Sequence, residues 1–388
     1  MEHETVHIQR PKRRFCVGII GGGQLARMSA YAAYRFGFDV AILERDPHSP
    51  AGRVTPLSVA GWVTDEETVA SFARQCDVIT LENEFVDSHR LEAFERLGVR
   101  VAPSSTTIAL IQDKLLQKRA LAENGIPVPA FVGVDSVREA EQAAAQLHFP
   151  LLLKSRKMGY DGHGNVTVRT GRELHEGVER LTARHAHMLA EKFVRFRMEL
   201  AVMVARTERD TVAYPVVQTI QRNHICHTVL APARIDRHHR ERAEEIAIES
   251  VRTVHGTGLF GVEMFLTEDG EILVNEMAPR PHNSGHYTIE ACATSQFENH
   301  IRAVCGLPLG SAAMVAPAAV MVNLLGKRAG ASIASPPPSA LSDPELHLHL
   351  YGKEYTREGR KMGHITVLGL RHASLLKRAL RVEQSLLV

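Results

Sequence analysis

The chain has 388 residues, of which 44% are hydrophobic and 23% are charged, as is typical of a globular protein with two or three domains. Forty-six basic and 44 acidic side chains leave a formal charge of +2, which is too balanced for a nucleic-acid or membrane-surface protein judged by charge alone. No stretch has the apolar length of a membrane span, and the first residues lack the apolar core of an export signal, so we expect a cytoplasmic protein.

Residues 15–44 predict a strand–helix–strand unit. They run from an apolar strand through a glycine turn and an amphipathic helix to a second apolar strand that ends in Glu44. Gly21, Gly23 and Ala26 have the GxGxxA spacing of the dinucleotide-binding fingerprint, in which an acid follows about 20 residues later. The strand CDVITLENE and the helix SHRLEAFERLG continue the alternation. A Rossmann-like domain with a parallel sheet is therefore expected.

The rest of the chain predicts a lid, the second half of a cleft and a C-terminal module. Two helices, the second near residues 136–147, precede the strand FPLLLK and a glycine-rich loop, which together suggest a small α+β lid. Apolar strands and the helix RHHRERAEEIAIESVRTVHG follow. The stretch ASPPPSALSDP is a proline-rich linker, after which LHLHLYGKEY and HITVLGL resemble paired strands of a small β-rich module. The predicted boundaries are 1–14 for an N-terminal extension, 15–112 for the Rossmann-like domain, 113–194 for the lid, 195–326 for the second half of the cleft, and 327–388 for the linker and C-terminal module.

The segment FPLLLKSRKMGYDGHGN is a candidate anion site. An apolar strand ends in Lys154, and Gly159, Gly162 and Gly164 follow within one short loop. Without Cβ atoms, such a loop lets backbone N–H groups close over an anion, and a lysine beside a glycine loop is a recurring way to hold a triphosphate. The spacing GxxxxGK[ST] is absent. An exposed hairpin with turn glycines is the alternative.

The segment GVEMFLTEDGEILVNEMAPRPHNSGHY predicts a β-hairpin that brings two carboxylates together. Its DG dipeptide favours a two-residue type I′ turn, which pairs Glu268 with Glu271 and sets Glu263 directly opposite Glu276. Such cross-strand neighbours lie about 5 Å apart, where like charges destabilise a sheet. Because the flanking residues are apolar, we expect an enclosed pair that binds Mg²⁺ together with a nucleotide phosphate. Two glutamates on a solvated face are the alternative.

Several of these features occur in the order found in the ATP-grasp superfamily. They are Lys154, the GYDGHGN loop, Glu191 in AEKFV, Glu199, and the pair Glu263 and Glu276. Within that superfamily, the motifs GGGQLARM, GYDGHGN, NEMAPRPHNSGHY, MVNLLG and GRKMGHI together resemble those of the N5-carboxyaminoimidazole ribonucleotide synthetases of purine biosynthesis. The resemblance covers nearly the whole chain, and APRPHNSGHY is far more specific than a glycine loop. The resemblance implies an ATP-grasp fold that follows the Rossmann-like domain along the chain.

The resemblance also implies an ATP site with Mg²⁺ on Glu263 and Glu276. Lys114 and Lys154 would contact the phosphates, while Glu191 and the backbone of Val194 would bind adenine. Glu199 would hold the ribose hydroxyls. The full set that the resemblance assigns to the nucleotide is Lys114, Lys154, Gly159, Tyr160, Asp161, Gly162, His163, Gly164, Asn165, Glu191, Lys192, Phe193, Val194, Glu199, Gln221, Asn275 and Glu276.

By the same resemblance, the chain is expected to carboxylate 5-aminoimidazole ribonucleotide with ATP and bicarbonate, through carboxyphosphate. Arg280 and His282 follow the metal hairpin and would hold bicarbonate or carboxyphosphate, although an exposed proline-flanked loop is the alternative. Tyr160, Asp161 and Lys353 complete the implied catalytic set. A homodimer is implied as well.

The ribonucleotide would bind at the N-terminus of the first helix, which is a generic phosphate site. Glu82 would approach its ribose or ring, and a basic patch near the C-terminus would hold its phosphate. The implied set is Gly22, Gly23, Gln24, Leu25, Glu82, Lys353, Arg360 and Lys361. For Lys361, a solvated basic turn is the alternative.

The chain departs from the family pattern at a few positions. Relatives usually carry Arg or Lys where this chain has His163, and a histidine is only partly charged near neutral pH. They often carry His where Gln221 stands, and Ala26 replaces a common Gly. Strand alternation also points Asn275 away from the face of Glu276 unless a bulge intervenes.

Other functions remain open from the sequence. An NAD-dependent dehydrogenase explains the first 45 residues and nothing after them. A sister ATP-grasp ligase, such as the formate-dependent glycinamide ribonucleotide transformylase or an amino-acid ligase, would share the ATP site but not the acceptor. A nucleotide sensor that kept the fold is a further alternative, which the intact Lys154, Glu263 and Glu276 disfavour.

Overall fold

The structure is a computed structural model that describes residues 14–157, 164–183, 187–332, 336 and 338–386. In this part of the chain, a parallel sheet, a small antiparallel sheet and a long antiparallel sheet follow one another along the sequence. The parallel sheet belongs to the N-terminal domain, and the small antiparallel sheet belongs to the lid. The long antiparallel sheet is the central sheet. Among the described residues, no helix combines the length and the apolar composition needed to cross a bilayer.

The N-terminal domain is a parallel α/β layer, as predicted. Its strands are β1 (Cys16–Ile20), β2 (Asp39–Glu44), β3 (Leu57–Ala60), β4 (Val78–Leu81) and β5 (Arg100–Val101). Its helices are α1 (Gln24–Arg35), α2 (Glu66–Gln75), α3 (Ser88–Arg96) and α4 (Ser105–Gln112), with a 3₁₀ turn at Gly52–Val54. The strand order is β3-β2-β1-β4-β5, and all pairs are parallel. Every residue of β1 is buried, as expected where helices cover both faces of a sheet.

The lid is a small antiparallel sheet with helices on one face. Helix α5 (Lys114–Glu123) leads into β6 (Phe131–Val134), α6 (Val137–Leu147), β7 (Leu151–Ser155), β8 (Asn165–Val168), α7 (Gly171–Thr182) and β9 (Met188–Lys192). The strands lie in the order β6-β9-β7-β8. Side chains of Ser136 and Thr170 accept from backbone N–H groups at the starts of α6 and α7, which satisfies donors that a helix start leaves unpaired. The predicted helix near residues 136–147 is confirmed.

The central sheet carries most of the candidate site residues. Its elements are β10 (Phe196–Arg206), β11 (Thr211–Ala213), β12 (Val217–Arg222), β13 (Ile225–Ala231), α8 (Arg237–Thr253), β14 (Gly258–Thr267), β15 (Ile272–Ala278), a 3₁₀ turn at Asn283–Gly285, α9 (Thr288–Ala291), α10 (Gln296–Val304) and β16 (Ala318–Leu325). Further along the chain come β17 (Gly330–Ala331), a 3₁₀ turn at Pro338–Leu341, β18 (Leu346–Leu350), β19 (Tyr355–Thr356), β20 (Lys361–Gly369) and α11 (His372–Ser385).

The C-terminal strands extend the central sheet. Its order is β15-β14-β10-β12-β13-β16-β20-β18, with β11 beside β10, whereas β17 and β19 pair separately. The predicted pairing of LHLHLYGKEY with HITVLGL is therefore confirmed, because β18 pairs with β20. Helix α11, which we did not predict, covers these strands: its Leu375 and Ala379 pack with Val320 and Val322 of β16.

Opposite faces of the central sheet pack against different layers. Val202 and Val262 lie in one buried cluster with Ile246 of α8, whereas Met203 and Tyr287 lie in a cluster on the other face. Since successive strand residues point to opposite faces, Glu263, which follows Val262, points away from α8. This is the face on which the candidate site lies.

Helix α10 joins the central sheet to the N-terminal domain. Its Phe297 and Ile301 share a buried cluster with Ile19 of β1. His300 Nε2 on α10 lies 3.0 Å from Thr80 Oγ1 on β4. The carboxyl end of the parallel sheet therefore meets the central sheet in a fixed position.

Candidate active site

The hairpin with the two predicted metal carboxylates consists of β14 and β15. Glu263 lies directly opposite Glu276, which confirms the predicted pair. The predicted two-residue type I′ turn is wrong. The Thr267 amide donates to the Glu271 carbonyl at 2.9 Å and the Gly270 amide donates to the Thr267 carbonyl at 3.2 Å, so the turn is longer. Gly270 has a φ of +87°, in the region that favours glycine.

A bulge restores the register that the longer turn shifts. Met264 pairs with Val274, but the next pair outward is the glutamate pair, which leaves Asn275 as the extra residue. Such a residue breaks the alternation of the strand and re-aims its side chain. Asn275 Oδ1 accepts a hydrogen bond from Lys154 Nζ at 3.2 Å. The bulge therefore turns Asn275 toward a predicted phosphate ligand.

The two hairpin carboxyls differ in their electrostatic surroundings. Burial, followed by the charges of Glu276 and Glu199, raises the pKa of Glu263, and His282 Nε2 lies 3.5 Å from its Oε1. Burial also opposes ionisation of Glu276, but contact with the Lys114 ammonium outweighs it and lowers the pKa of Glu276. One carboxyl is thus ionised beside a cation while its neighbour favours its proton, as expected for a close like-charge pair.

A buried lysine–glutamate network lies behind the hairpin. Glu191 is 1% exposed, and its Oε1 and Oε2 lie 2.7 Å from Lys154 Nζ and Lys118 Nζ, respectively. Burial opposes ionisation of Glu191, but the two ammonium groups hold its pKa below the usual value. Burial, only partly offset by Glu191, lowers the pKa of Lys118 to about 8. Sequence reasoning missed Lys118, although its four-residue spacing from Lys114 places both on one face of α5.

The lid strand that carries Lys154 is fixed to the start of α5. Asp113 caps α5 by accepting from the Leu115 amide at 3.0 Å, and Arg156 Nε and Nη2 donate to its two oxygens at 3.0 and 2.6 Å. The Lys114 amide donates to the Arg156 carbonyl at 2.8 Å. These contacts set the two predicted phosphate lysines relative to each other.

The glycine-rich loop lies mostly outside the described residues. Its predicted nucleotide contacts there remain predictions, and they are Gly159, Tyr160, Asp161, Gly162 and His163. At its described end, the Gly164 carbonyl accepts from the Ser155 amide at 2.8 Å, and Asn165 pairs with Lys154 across β7 and β8. The loop therefore starts and ends beside the predicted phosphate lysine.

The predicted adenine segment follows β9. Glu191 and Lys192 end that strand, and Phe193 and Val194 follow it. The Lys192 amide donates to the Ala130 carbonyl at 2.8 Å, which continues the pairing with β6. Phe193 is exposed.

The predicted ribose acid lies in a groove beside this segment. Glu199 on β10 pairs with Thr219 on β12, and burial raises its pKa despite a hydrogen bond with Gln221. Glu199, Gln221 and His224 line a cavity of about 390 Å³. Glu199 and Gln221, both predicted, therefore contact each other.

The glycine turn before α1 is bound to a carboxylate from the loop that follows β4. Glu82 accepts from the Gly23 amide at 2.8 Å and from the Leu25 amide at 3.3 Å. A Cβ atom on Gly23 would lie 2.0 Å from Glu82 Oε1, so this approach requires glycine. Burial raises the pKa of Glu82, and these hydrogen bonds offset the effect only in part.

A second carboxylate closes the other side of this turn. Glu44 Oε2 accepts from the Gly22 amide at 2.9 Å, and its Oε1 accepts from the Arg45 amide. Gln24 follows as the first residue of α1. The carboxylate that an NAD site would use for a ribose is thus engaged by the protein's own backbone.

The predicted C-terminal basic residues lie near this turn. Lys353 Nζ donates to the Lys361 carbonyl at 2.7 Å, and Arg360 Nη1 donates to the Tyr355 carbonyl at 2.7 Å. Burial, followed by the charge of Arg360, lowers the pKa of Lys353 to about 8, and Glu82 acts in the opposite direction. Lys353 and Glu82 are therefore close enough to influence each other.

Arg280, predicted to hold bicarbonate, forms a fork with an acid that sequence reasoning missed. Its Nε and Nη2 donate to Glu84 at 2.5 and 3.1 Å. The side chains are 17% and 20% exposed, respectively. The signal was present in the motif ENE, where Glu84 follows Glu82 by two residues.

The loop after Arg280 is held by buried amides. Gln296 Oε1 accepts from the His282 amide at 2.9 Å, and its Nε2 donates to the His282 carbonyl at 2.8 Å. Asn323 Oδ1 accepts from Asn283 Nδ2 at 2.9 Å. Burial, then the charges of Arg280 and other cations, lowers the pKa of His282 to about 3. His282 is therefore a neutral, fixed imidazole.

The carboxylates of the hairpin fit a Mg²⁺ site in part. Among the described residues, no group of three or more His, Cys, Asp or Glu side chains is arranged to hold a metal ion. Mg²⁺ does not need such a cage, because it is normally bound by one or two carboxylates with water and phosphate oxygens. The pair of Glu263 and Glu276 supplies that number of carboxylates, and their side chains are 25% and 40% exposed, so the pair is less enclosed than predicted.

Comparisons with known proteins agree with this architecture. Residues 15–112 match the ribonucleotide synthetase preATP-grasp domain, residues 119–297 match the ATP-grasp domain, and residues 319–378 match the phosphoribosylaminoimidazole carboxylase C-terminal domain. They confirm the predicted fold class: an N-terminal Rossmann-like domain, an ATP-grasp fold and a C-terminal module.

Similar proteins fall into two lengths. Over 374 residues the chain is 42% identical to N5-carboxyaminoimidazole ribonucleotide synthase of Synechococcus elongatus, covering 95% of this chain and 93% of that protein. Over 361 residues it is 44% identical to phosphoribosylaminoimidazole carboxylase of Ogataea methanolica, covering 91% of this chain but 66% of that protein. The chain thus spans about two thirds of the length of such carboxylases.

A solved structure extends the likeness to three dimensions. The N5-carboxyaminoimidazole synthase of Aspergillus clavatus, in complex with ADP and 5-aminoimidazole ribonucleotide, superposes with a TM-score of 0.87 at 37% identity. The match covers 96% of this chain and 99% of that one. This chain therefore belongs to the N5-carboxyaminoimidazole ribonucleotide synthase family.

Proposed function

We propose that this chain is an ATP-dependent ligase of purine biosynthesis. It carboxylates 5-aminoimidazole ribonucleotide with bicarbonate and yields N5-carboxyaminoimidazole ribonucleotide, ADP and phosphate. The name of the Synechococcus relative and the ligands in the Aspergillus structure support this assignment. A sister ATP-grasp ligase would share the nucleotide site but take another acceptor.

One observation carries the proposal: three regions of the chain meet at one cleft. The metal hairpin leads directly into Arg280, which is bound to Glu84 of the N-terminal domain. The charge of Lys361 from β20 acts on both Glu263 and His282. The residues that we assign to the nucleotide, to bicarbonate and to the acceptor are thus close to one another, which supports a ligase with three substrates.

In the first chemical step, a bicarbonate oxygen attacks the γ-phosphorus of ATP. The new P–O bond forms carboxyphosphate while the bond to the bridging oxygen breaks and ADP leaves. Lys114 and Lys154 hold the phosphates, and Arg280 with the neutral His282 holds the bicarbonate. These fixed donors stabilise the negative charge that moves to the bridging oxygen.

In the second step, the amine of the ribonucleotide attacks the carboxyphosphate carbon or the CO₂ that it releases. A C–N bond forms, phosphate leaves, and the amine loses a proton that the released phosphate accepts. The glycine turn, Glu82 and Lys353 orient the ribonucleotide, with Arg360 and Lys361 at its phosphate. Closure over the site keeps water from the unstable intermediate, and Tyr160 and Asp161 are assigned to the closing side.

When bound, Mg²⁺ would neutralise charge on the ATP phosphates, with Glu263 and Glu276 as its protein ligands. Asn275 is adjacent through the bulge. Removal of the metal with a chelator is expected to abolish ATP turnover and to lower nucleotide affinity in calorimetry.

A homodimer in the cytoplasm completes the proposal, and it is carried by the family resemblance alone. Light scattering during size-exclusion chromatography tests the dimer. A monomer at micromolar concentration would contradict it.

The deciding experiment is an assay of ADP release with ATP and Mg²⁺, with and without the ribonucleotide and bicarbonate. We expect full turnover only with both, and the N5-carboxylated product in the same stoichiometry as ADP. ATP with Mg²⁺, and not NAD(H), is expected to raise the melting temperature, because a ligand stabilises the state that binds it. Turnover with glycinamide ribonucleotide and formate instead would assign the chain to the sister ligase.

A further inference from the structure

The loop that follows β4 contacts two different parts of the cleft. Glu82 binds the amides of Gly23 and Leu25, at the turn assigned to the acceptor. Two residues later, Glu84 binds the Arg280 guanidinium. One short segment therefore links the acceptor side to the bicarbonate side.

The fork between Glu84 and Arg280 fixes the plane of the guanidinium. Two parallel N–H···O bonds use the Nε and Nη2 edge, and this geometry is directional as well as strong. Arg280 Nη1 also donates to the Pro281 carbonyl at 3.2 Å. Rotation of the guanidinium would break contacts on both edges.

Glu84 is itself anchored. Gln112 Nε2, at the end of α4, donates to the Glu84 carbonyl at 2.6 Å and also contacts the Val86 carbonyl. Because the Glu84 and Arg280 side chains are mostly buried, their pairing is screened less than a surface pair. Glu84 is thus a rigid partner.

We propose that Glu84 is a positioning residue that orients Arg280 for bicarbonate and carboxyphosphate. This inference rests on the proposed function, in which Arg280 holds these anions. In this role Glu84 acts through the guanidinium; its charge also acts on the Lys114 ammonium, whose direct partner is Glu276. Misplacement of an anion-binding group by about 1 Å costs on the order of 10²-fold in rate, so a loosened fork reduces carboxylation while the nucleotide site stays intact.

The test compares Glu84→Gln with a matched control. Gln keeps the shape but loses the charge and one acceptor of the fork. The control is Asp343→Asn, because Asp343 forms a similar partly buried fork with Arg378, at 2.7 and 2.6 Å, in the C-terminal region. We expect Glu84→Gln to raise the KM for bicarbonate about tenfold or to lower kcat by a similar factor. ATP affinity in calorimetry stays within about twofold, and the control changes neither.

A double-mutant cycle with Arg280→Lys separates positioning from general structure. Lysine keeps the charge but cannot form the fork. If Glu84 acts through Arg280, Glu84→Gln has little further effect in the Arg280→Lys background. Additive losses, or equal losses of ATP affinity and turnover, would overturn the inference.

Folding is checked by thermal melting of all variants. If Glu84→Gln is poorly folded, Glu84→Asp, which keeps the carboxylate and shortens the reach, replaces it in the same cycle. If the wild-type protein does not carboxylate 5-aminoimidazole ribonucleotide, the proposed function itself is refuted. If the wild-type protein is active and Glu84→Gln has the same kcat and the same KM for bicarbonate, only the role of Glu84 is refuted.

Discussion

The nucleotide side and the acceptor side of the cleft both contain glutamates whose ionisation is opposed by desolvation, but these have different partners. Glu191 and Glu276 contact lysine ammonium groups, and their pKa values lie below the usual value. Glu82 contacts backbone amides, and burial raises its pKa. The comparison shows that a charged partner offsets desolvation where neutral N–H donors do not. The two lysine-bound carboxylates are therefore ionised near neutral pH, whereas Glu82 can change its charge with pH, as Glu263 and Glu199 can on the nucleotide side.

The largest expected effect concerns the ionised hairpin carboxylate. Glu276→Gln removes a proposed anionic ligand of Mg²⁺ and the carboxylate partner of Lys114, so turnover should fall on the order of 10³-fold and require more magnesium. Glu271→Gln, on the exposed end of the same hairpin, is the control and should retain activity. Steady-state rates across a magnesium titration decide the matter. Full activity of Glu276→Gln at low magnesium would show that the charge network does not extend to the metal.

Glu191→Gln tests the buried network directly. It leaves the Lys118 and Lys154 ammonium groups without their counter-charge, so the free energy of unfolding should fall by about 3 kcal/mol, as measured by urea denaturation. Because the pKa of Glu191 is lowered on folding, its contribution is present above the unfolded pKa and is lost as pH falls through the folded one.

Glu82→Gln is the matched variant for this comparison. Its amide oxygen can still accept from the Gly23 and Leu25 amides, so we expect a loss of about 1 kcal/mol. Equal losses for Glu191→Gln and Glu82→Gln would break the distinction between the two sides.

Arg280→Ala probes the boundary between the sides. Carboxylation should fall on the order of 10²-fold, while ATP affinity is spared, because Arg280 is assigned to bicarbonate and not to adenine. Calorimetry with ATP and Mg²⁺ is the check. Loss of ATP binding equal to the loss of turnover would place Arg280 on the nucleotide side.

The smallest expected effect is a pH dependence on the acceptor side. Since the pKa of Lys353 is lowered to about 8, its ammonium is lost as pH rises through that value. The kcat/KM for the ribonucleotide should therefore drop to about half at pH 8, and Lys353→Arg should keep it constant to higher pH. Because the pKa of Lys118 on the nucleotide side is also lowered to about 8, the control is the same profile in Lys353→Arg and not the kcat/KM for ATP. Identical profiles for wild type and Lys353→Arg would remove Lys353 from acceptor binding.

The sequence predicted the cross-strand pairing of Glu263 with Glu276 correctly, but for a partly wrong reason. Glu263 and Glu276 face each other because a longer turn and a bulge at Asn275 shift the register in opposite directions. The DG dipeptide is compatible with more than one turn. The bulge places the Asn275 side chain against Lys154, which is distant in sequence. The residues around Asn275 therefore do not predict it.

Other parts of the site depend on distant contacts that the sequence does not encode locally. In the sequence, Lys118 has the features of an ordinary lysine on a helix. Its role depends on contact with Glu191, which lies 73 residues later in the chain. Glu84 and Arg280 meet across 196 residues. By contrast, α11 could have been predicted from the helical spacing of Leu375, Ala379 and Val382.

The continuity of the central sheet has a consequence for fragments of this chain. A fragment that ended at residue 326 would keep β16 but remove its partner β20. The strand AAVMVNLL would then present an unpaired and largely apolar edge with no charged side chain to block further pairing, which is the usual template for strand-to-strand aggregation. The C-terminal region therefore covers the edge of β16 against strand-to-strand aggregation, in addition to any part it takes in binding the ribonucleotide.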